Sequence, residues 1–122
     1  MGSLFAFLRP ALLFCCQSCW DMMDITNAPI IATHSNSRAV WNESRNLTDD
    51  MFRAIMESGG VAGFNQCAPF VGEKPTLDTA CDHFLHFLEL DPDGNHIALG
   101  GDLDGCDELP AGFEGVRSYP AL

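Results

Sequence analysis

The chain has 122 residues, 47% hydrophobic and 19% charged, the make-up of one modest folded domain rather than a disordered chain. Lys and Arg number 6 against 17 Asp and Glu, a formal net charge of -11. That balance argues against a nucleic-acid partner, which needs clustered Lys and Arg to neutralise phosphates, and against an anionic membrane surface.

The first stretch, "MGSLFAFLRPALLFCC", is apolar but cut by Arg9-Pro10. It is too short and broken to span a bilayer. It lacks the positive start of a signal peptide, and Ala6 stands where myristoylation wants Ser or Thr, so no membrane anchor is read here. Trp20 to Asn27 suits the end of an amphipathic helix, stopped by Pro29. Ile30 to Thr33 is a short β-type run, and Ser35 to Trp41 a loop. Thr48 caps a helix whose first turn holds Asp49 and Asp50, where the dipole favours negative charge. Gly59-Gly60 ends it. Val61 to Asn65 is the second strand. After a loop holding Pro69 and Pro75, Thr76 caps "LDTACDHFLHFLEL", in which Leu77, Cys81, Phe84, Leu85 and Leu88 keep a helical period. Asp91 to Gly94 is a turn, and "HIALGG", 96–101, is the third strand. Strands that are apolar throughout and separated by helices predict a parallel α/β sheet.

Six cysteines, at positions 15, 16, 19, 67, 81 and 106, lie in apolar or turn contexts. Their spread predicts free thiols and a reducing, cytoplasmic setting, with secretion or membrane association left open. Cys16 to Cys19 matches C-x-x-C but lacks the βα context of a redox motif.

In parallel α/β folds chemistry gathers at the C-terminal ends of strands. The three exits deliver His34, Asn65, and Asp102 with Asp104 close behind. An imidazole and a carboxylate there are candidate ligands for a divalent metal such as zinc. The bland alternative is a hydrogen-bonded structural histidine and two turn-capping aspartates. His83 and His86 share a helix face without a third ligand and read as surface or packing residues. The loop from Asp102 fails the calcium pattern, since Asp107 and Phe113 stand where Gly and Glu are required.

From Trp20 onward the chain resembles the membrane (renal-type) dipeptidase family. The likeness is carried in order by "APIIATHSNSRAV", "SRNLTDD", "GGVAGFN", "ALGGDLDG" and "LPAGFEGVRSYPAL". The resemblance implies a metal-dependent (β/α)8 TIM barrel related to amidohydrolases that hydrolyses dipeptides with two bridged zinc ions. By similarity, His34 matches a zinc ligand. Asp102 matches the last-strand aspartate that faces the metals and helps orient or deprotonate the bridging water. Arg45 matches the arginine that grips the substrate carboxylate, and Asn46 and Asn65 help shape that pocket. Taken alone, Arg45 reads as a surface arginine near the helix that starts after Leu47.

Such a barrel needs about 250 residues. The three strands match the family's last ones, and the early H-x-D pair and the mid-barrel bridging glutamate are absent. Residues 1–19 depart from the family pattern, and 20–122 correspond to the C-terminal part of the barrel domain. The resemblance therefore predicts part of a longer enzyme, from a truncated or mis-started frame, with little dipeptidase activity of its own. The alternative is an inactive remnant that binds or assembles with a complementary half, or with a second copy as a homo-oligomer.

Overall fold

The computed structural model describes residues 16–122, so the apolar run before Cys16, most of the segment expected to diverge, lies outside the described residues. The chain runs α1 (Cys16–Ile25), β1 (Ile31–Ala32), α2 (Asp49–Glu57), β2 (Val61–Asn65), α3 (Ala68–Val71), α4 (Leu77–Leu90) and β3 (Ile97–Gly101), then a 3-10 turn over Val116–Ala121. The strands form one parallel sheet in the order β1-β2-β3. Ala62 of β2 lies opposite Ala32 on one side and Ile97 on the other. This is the expected α/β arrangement, with a helix crossing over between each pair of strands.

Local chemistry sets the helix starts. The Thr48 hydroxyl accepts the amide proton of Met51, and Asp49 and Asp50 sit in the first turn of α2. Thr76 and Thr79 form a reciprocal capping box on α4. Between these helices the sequence reads as loop, yet Ala68–Val71 makes one extra helical turn. Pro69 is tolerated there because first-turn amides need no helical partner. No helix among the described residues is long and apolar enough to cross a membrane.

Two buried clusters hold the layers together. Leu47, Met51, Phe52 and Ile55 join Ile30, Ala32, Ala62 and Phe87, with the rings of Phe52 and Phe87 stacked at 4.3 Å. Phe64, Val71 and Ala80 form the second cluster beneath α3 and α4. β2 is buried along Ala62 to Asn65, as a central parallel strand must be. β3 departs from the expectation of burial, because it is an edge of the three-stranded sheet and Leu99 is 54% exposed.

β1 is shorter than the apolar run predicted. Ser35 donates its amide proton to Gly63 O at 2.8 Å, which draws the chain after Ala32 over the sheet. Glycine makes this approach possible. A Cβ on Gly63 would lie 2.4 Å from Thr33 O, and one on Gly100 only 2.1 Å from the same oxygen.

The expectation of free thiols fails at one pair. Cys67 and Cys106 are disulfide-bonded, with Cα atoms 5.4 Å apart. A separation of 39 residues hid the pairing. Each cysteine stands just past the exit of its strand, and β2 and β3 are neighbours, so parallel pairing brings the two together. The free-thiol argument for the cytoplasm therefore no longer holds. Cys81 is free.

Candidate active site

The exits of β1, β2 and β3 converge, and hydrogen bonds join them. Asn36, two residues past His34, is fully buried. Its Oδ1 accepts the amide proton of Asn65 at 2.7 Å, and its Nδ2 donates to Asn65 O at 2.8 Å and Phe70 O at 3.1 Å. Asn65 in turn accepts the Cys67 amide proton on Oδ1 at 2.8 Å and donates from Nδ2 to Asp102 Oδ2 at 3.2 Å. The middle strand thereby ties the first exit to the third.

Asp102 has φ 73°, the one non-glycine positive φ among the described residues. Aspartate tolerates this left-handed region better than most residues, at a cost of about 1–2 kcal/mol. Gly101 before it has φ 85°, so the chain turns sharply as β3 ends. That turn aims the carboxylate at Asn65 instead of continuing the ladder.

His34 sits between two polar side chains. Thr33 Oγ1 is 2.7 Å from Nδ1, and Arg45 Nη2 is 3.3 Å from Nε2. The Arg45 guanidinium lies over the Phe70 ring, 4.8 Å from its centroid. The loop bearing Arg45 is braced from both sides. Arg38 donates to the carbonyls of Ser44 and Asn46, which flank it. Glu43 accepts from the Ser44 hydroxyl and amide at 2.8 and 2.7 Å, and these bonds hold its carboxyl below the usual carboxylate range. Asn46 is 1% exposed, its Nδ2 donating to Trp41 O and Phe70 O, so it props the loop from beneath.

Of the residues singled out in the sequence, His34 and Arg45 are therefore in contact, and so are Asn65 and Asp102, while Asn46 faces the backbone. Arg38, Asn36 and Thr33 lie within "APIIATHSNSRAV", but their letters alone assign them no role. Their roles depend on which carbonyls and side chains the fold brings near. An open groove of ≈ 580 Å³ is lined by Trp41, Pro69, Glu73, Lys74, Glu108 and Leu109 among others. None of the singled-out residues lines it.

His83 is a packing residue, fully buried beneath the site. Its Nδ1 accepts the Ser37 amide proton at 3.1 Å, so Nε2 carries the proton donated to Val71 O at 2.9 Å. Desolvation holds its pKa below 6.5, with the neutral ring satisfied at both nitrogens. His86 contacts Asp49 at 2.8 Å between α4 and α2.

An imidazole at Nε2 and a carboxylate at Asp102 are donor types that suit a divalent metal. Among the described residues no group of three or more His, Cys, Asp or Glu is placed to hold one. His34 and Asp102 offer two donor atoms of suitable type, fewer than a closed zinc site needs.

The sequence model of the membrane dipeptidase family, peptidase family M19, matches residues 15–122. An uncharacterised dipeptidase of Schizosaccharomyces pombe is 36% identical over 103 residues, 82% of this chain and 25% of its own length. Dipeptidase 3 of Macaca fascicularis is 32% identical, over 83% of this chain and 21% of its own. Among solved structures, a metallopeptidase from Rhodobacter sphaeroides, liganded with a phosphinate mimic of the dipeptide L-Ala-D-Ala, has a TM-score of 0.77 and 34% identity. The likeness covers 86% of this chain and 31% of that one. An amidohydrolase from Pseudomonas aeruginosa, at 18% identity and a TM-score of 0.61, shares the fold. The chain spans about a quarter of the length of the S. pombe relative, and its three strands correspond to part of a TIM-barrel metallopeptidase. Matched over nearly its whole length, the chain belongs to the membrane dipeptidase family, M19, whose members are metal-dependent hydrolases.

Proposed function

We propose that these residues form part of a zinc metallodipeptidase centre acting on dipeptides. Within it, His34 and Asp102 serve as metal donors, Asp102 also orients the attacking water, and Arg45 receives the substrate carboxylate. The observation that carries this reading is the 3.3 Å contact between Arg45 Nη2 and His34 Nε2. In a dipeptide the free carboxylate lies one residue, about 3.3–3.6 Å of chain, beyond the scissile carbonyl. A receptor for that carboxylate must therefore stand beside the metal donor, as Arg45 does. A planar guanidinium stacked on Phe70 suits a planar carboxylate, and a longer peptide would place no carboxylate there. When bound, zinc would polarise the carbonyl and supply hydroxide near neutral pH. Asn65 holds the Asp102 carboxylate in place by its 3.2 Å hydrogen bond, and Asn46 supports the Arg45 loop. The remaining donors come from outside the described residues.

A second reading, an inactive remnant that binds or assembles with a complementary chain or a second copy, is favoured by the lack of a three-donor cluster among the described residues. Zinc content and L-Ala-D-Ala hydrolysis separate the two. Two ions per chain, with turnover abolished by His34→Ala and KM raised about 10- to 100-fold by Arg45→Met, would support hydrolysis. A metal-free, inert chain would favour the remnant. Turnover unaffected by His34→Ala would refute the assignment of the site.

A further inference from the structure

The two contacts of His34 determine where its proton sits. A guanidinium has only donors, so the Nε2 that Arg45 approaches at 3.3 Å is the nitrogen with a bare lone pair. A neutral imidazole then carries its proton on Nδ1, and Thr33 Oγ1, 2.7 Å away, accepts it. Free histidine in water prefers the opposite tautomer, with the proton on Nε2. The fold reverses that preference from both sides: Arg45 donates to Nε2, and Thr33 Oγ1 stands ready to accept the proton on Nδ1.

Thr33 is well anchored for the task. Its carbonyl oxygen is pressed against Gly63 and Gly100, where a Cβ would lie 2.4 and 2.1 Å away. Its β-branched side chain has few χ1 choices. The hydroxyl is therefore delivered to Nδ1 by a backbone that has little room to shift.

We propose that Thr33 is a positioning residue that locks His34 in the Nδ1–H tautomer and so presents the Nε2 lone pair to a metal. The second half of this statement rests on the reading of His34 as a donor; the tautomer assignment does not. Histidine ligands generally owe their orientation to a hydrogen bond at the other ring nitrogen, and losing it costs 10- to 100-fold in metal affinity. Arg45 approaches the same lone pair in this structure, so a metal at Nε2 would replace that contact.

The test uses the full chain with its histidines labelled with nitrogen-15, and two-bond proton–nitrogen correlation spectra recorded where His34 is neutral. The wild-type ring is expected to show a protonated Nδ1 and a bare Nε2. Thr33→Val, the same shape without the hydroxyl, should move the proton toward Nε2, and Thr33→Ser should restore the wild-type pattern. A wild-type His34 protonated on Nε2, or a Thr33→Val spectrum identical to wild type, overturns the proposal. Should Thr33→Val fail to fold, the wild-type spectrum and Thr33→Ser still decide it. A zinc titration followed at the same resonances separates the underlying reading. If zinc shifts His34 Nε2 in the wild type, and about 10- to 100-fold more is needed in Thr33→Val, both hold. If zinc never perturbs His34, the donor reading fails while the tautomer result stands or falls on the spectra alone.

Discussion

Gly100→Ala tests the placement of the first strand exit. Gly100 has no positive φ, so alanine suits its backbone and the cost is steric. The new Cβ would lie 2.1 Å from Thr33 O, 2.9 Å from Phe64 O and 3.1 Å from Gly63 C. All three obstacles are backbone, and they belong to two neighbouring segments held by the sheet. No side-chain rotation can relieve them, so β3 must move away from β2 or the Thr33–His34 segment must lift. Overpacking a well-filled site costs about 1–3 kcal/mol. With rigid obstacles the upper end applies, offset by about 0.4–1 kcal/mol from the stiffer unfolded chain. The expected net loss of about 2 kcal/mol lowers the melting temperature by about 8 °C for a chain of 122 residues. Thermal unfolding followed by circular dichroism measures it, and the His34 resonances should shift together with it. Gly72→Ala is the control: its Cβ would meet the Thr79 methyl at 3.3 Å and Pro75 at ordinary contact distance, in an extended backbone, and should cost under about 1 kcal/mol. A Gly100→Ala protein that melts with the wild type and keeps the His34 signals would refute the tight seating of the exit.

Two further outcomes follow from the structure. Cys67→Ser should lower stability by about 2–4 kcal/mol in urea titrations, because the bond closes a loop of 39 residues in the unfolded chain, and reductant should then have no added effect. His83 should make the fold acid-sensitive. Its folded pKa is depressed by burial, so the unfolded chain takes up the proton first, and stability is full above pH 6.5 and declines as pH falls from there. His83→Gln should flatten that part of the urea-midpoint-against-pH profile; a profile unchanged by the substitution would refute the role.

The periodicity of the apolar residues and the cap residues were enough to read the helices and the parallel sheet, since burial on both faces leaves a continuous apolar run and a cap leaves a Thr before acidic residues. What stayed hidden depends on distances between elements. Thr48 announces its helix from the next three residues, whereas Arg38 braces the Arg45 loop only because the chain doubles back to place the Ser44 and Asn46 carbonyls within its reach. Cys67 and Cys106 become partners through strand order, which spacing along the chain does not encode. The apolar letters of β3 mark it as strand but say nothing of its being an edge, so the exposure of Leu99 could not be anticipated.

The middle strand exit carries more of the geometry than either neighbour. Asp102 is held in a left-handed conformation that costs about 1–2 kcal/mol, and such a conformation persists only where its surroundings over-determine it. Both restraints come from the β2 exit: Asn65 holds the carboxylate, and Cys67, two residues on, anchors through its bond to Cys106 the chain four residues beyond Asp102. The same Asn65 pairs its backbone amide and carbonyl with Asn36, which follows His34 by two residues. Movement of Asn65 would thus disturb the imidazole and the carboxylate together. His34 and Asp102 are 68 positions apart in the chain, and Asn65 lies between their loops: its backbone pairs with Asn36, its side-chain nitrogen donates to Asp102, and its side-chain oxygen accepts the Cys67 amide proton. Asn65 thereby fixes the direction in which the Asp102 carboxylate points.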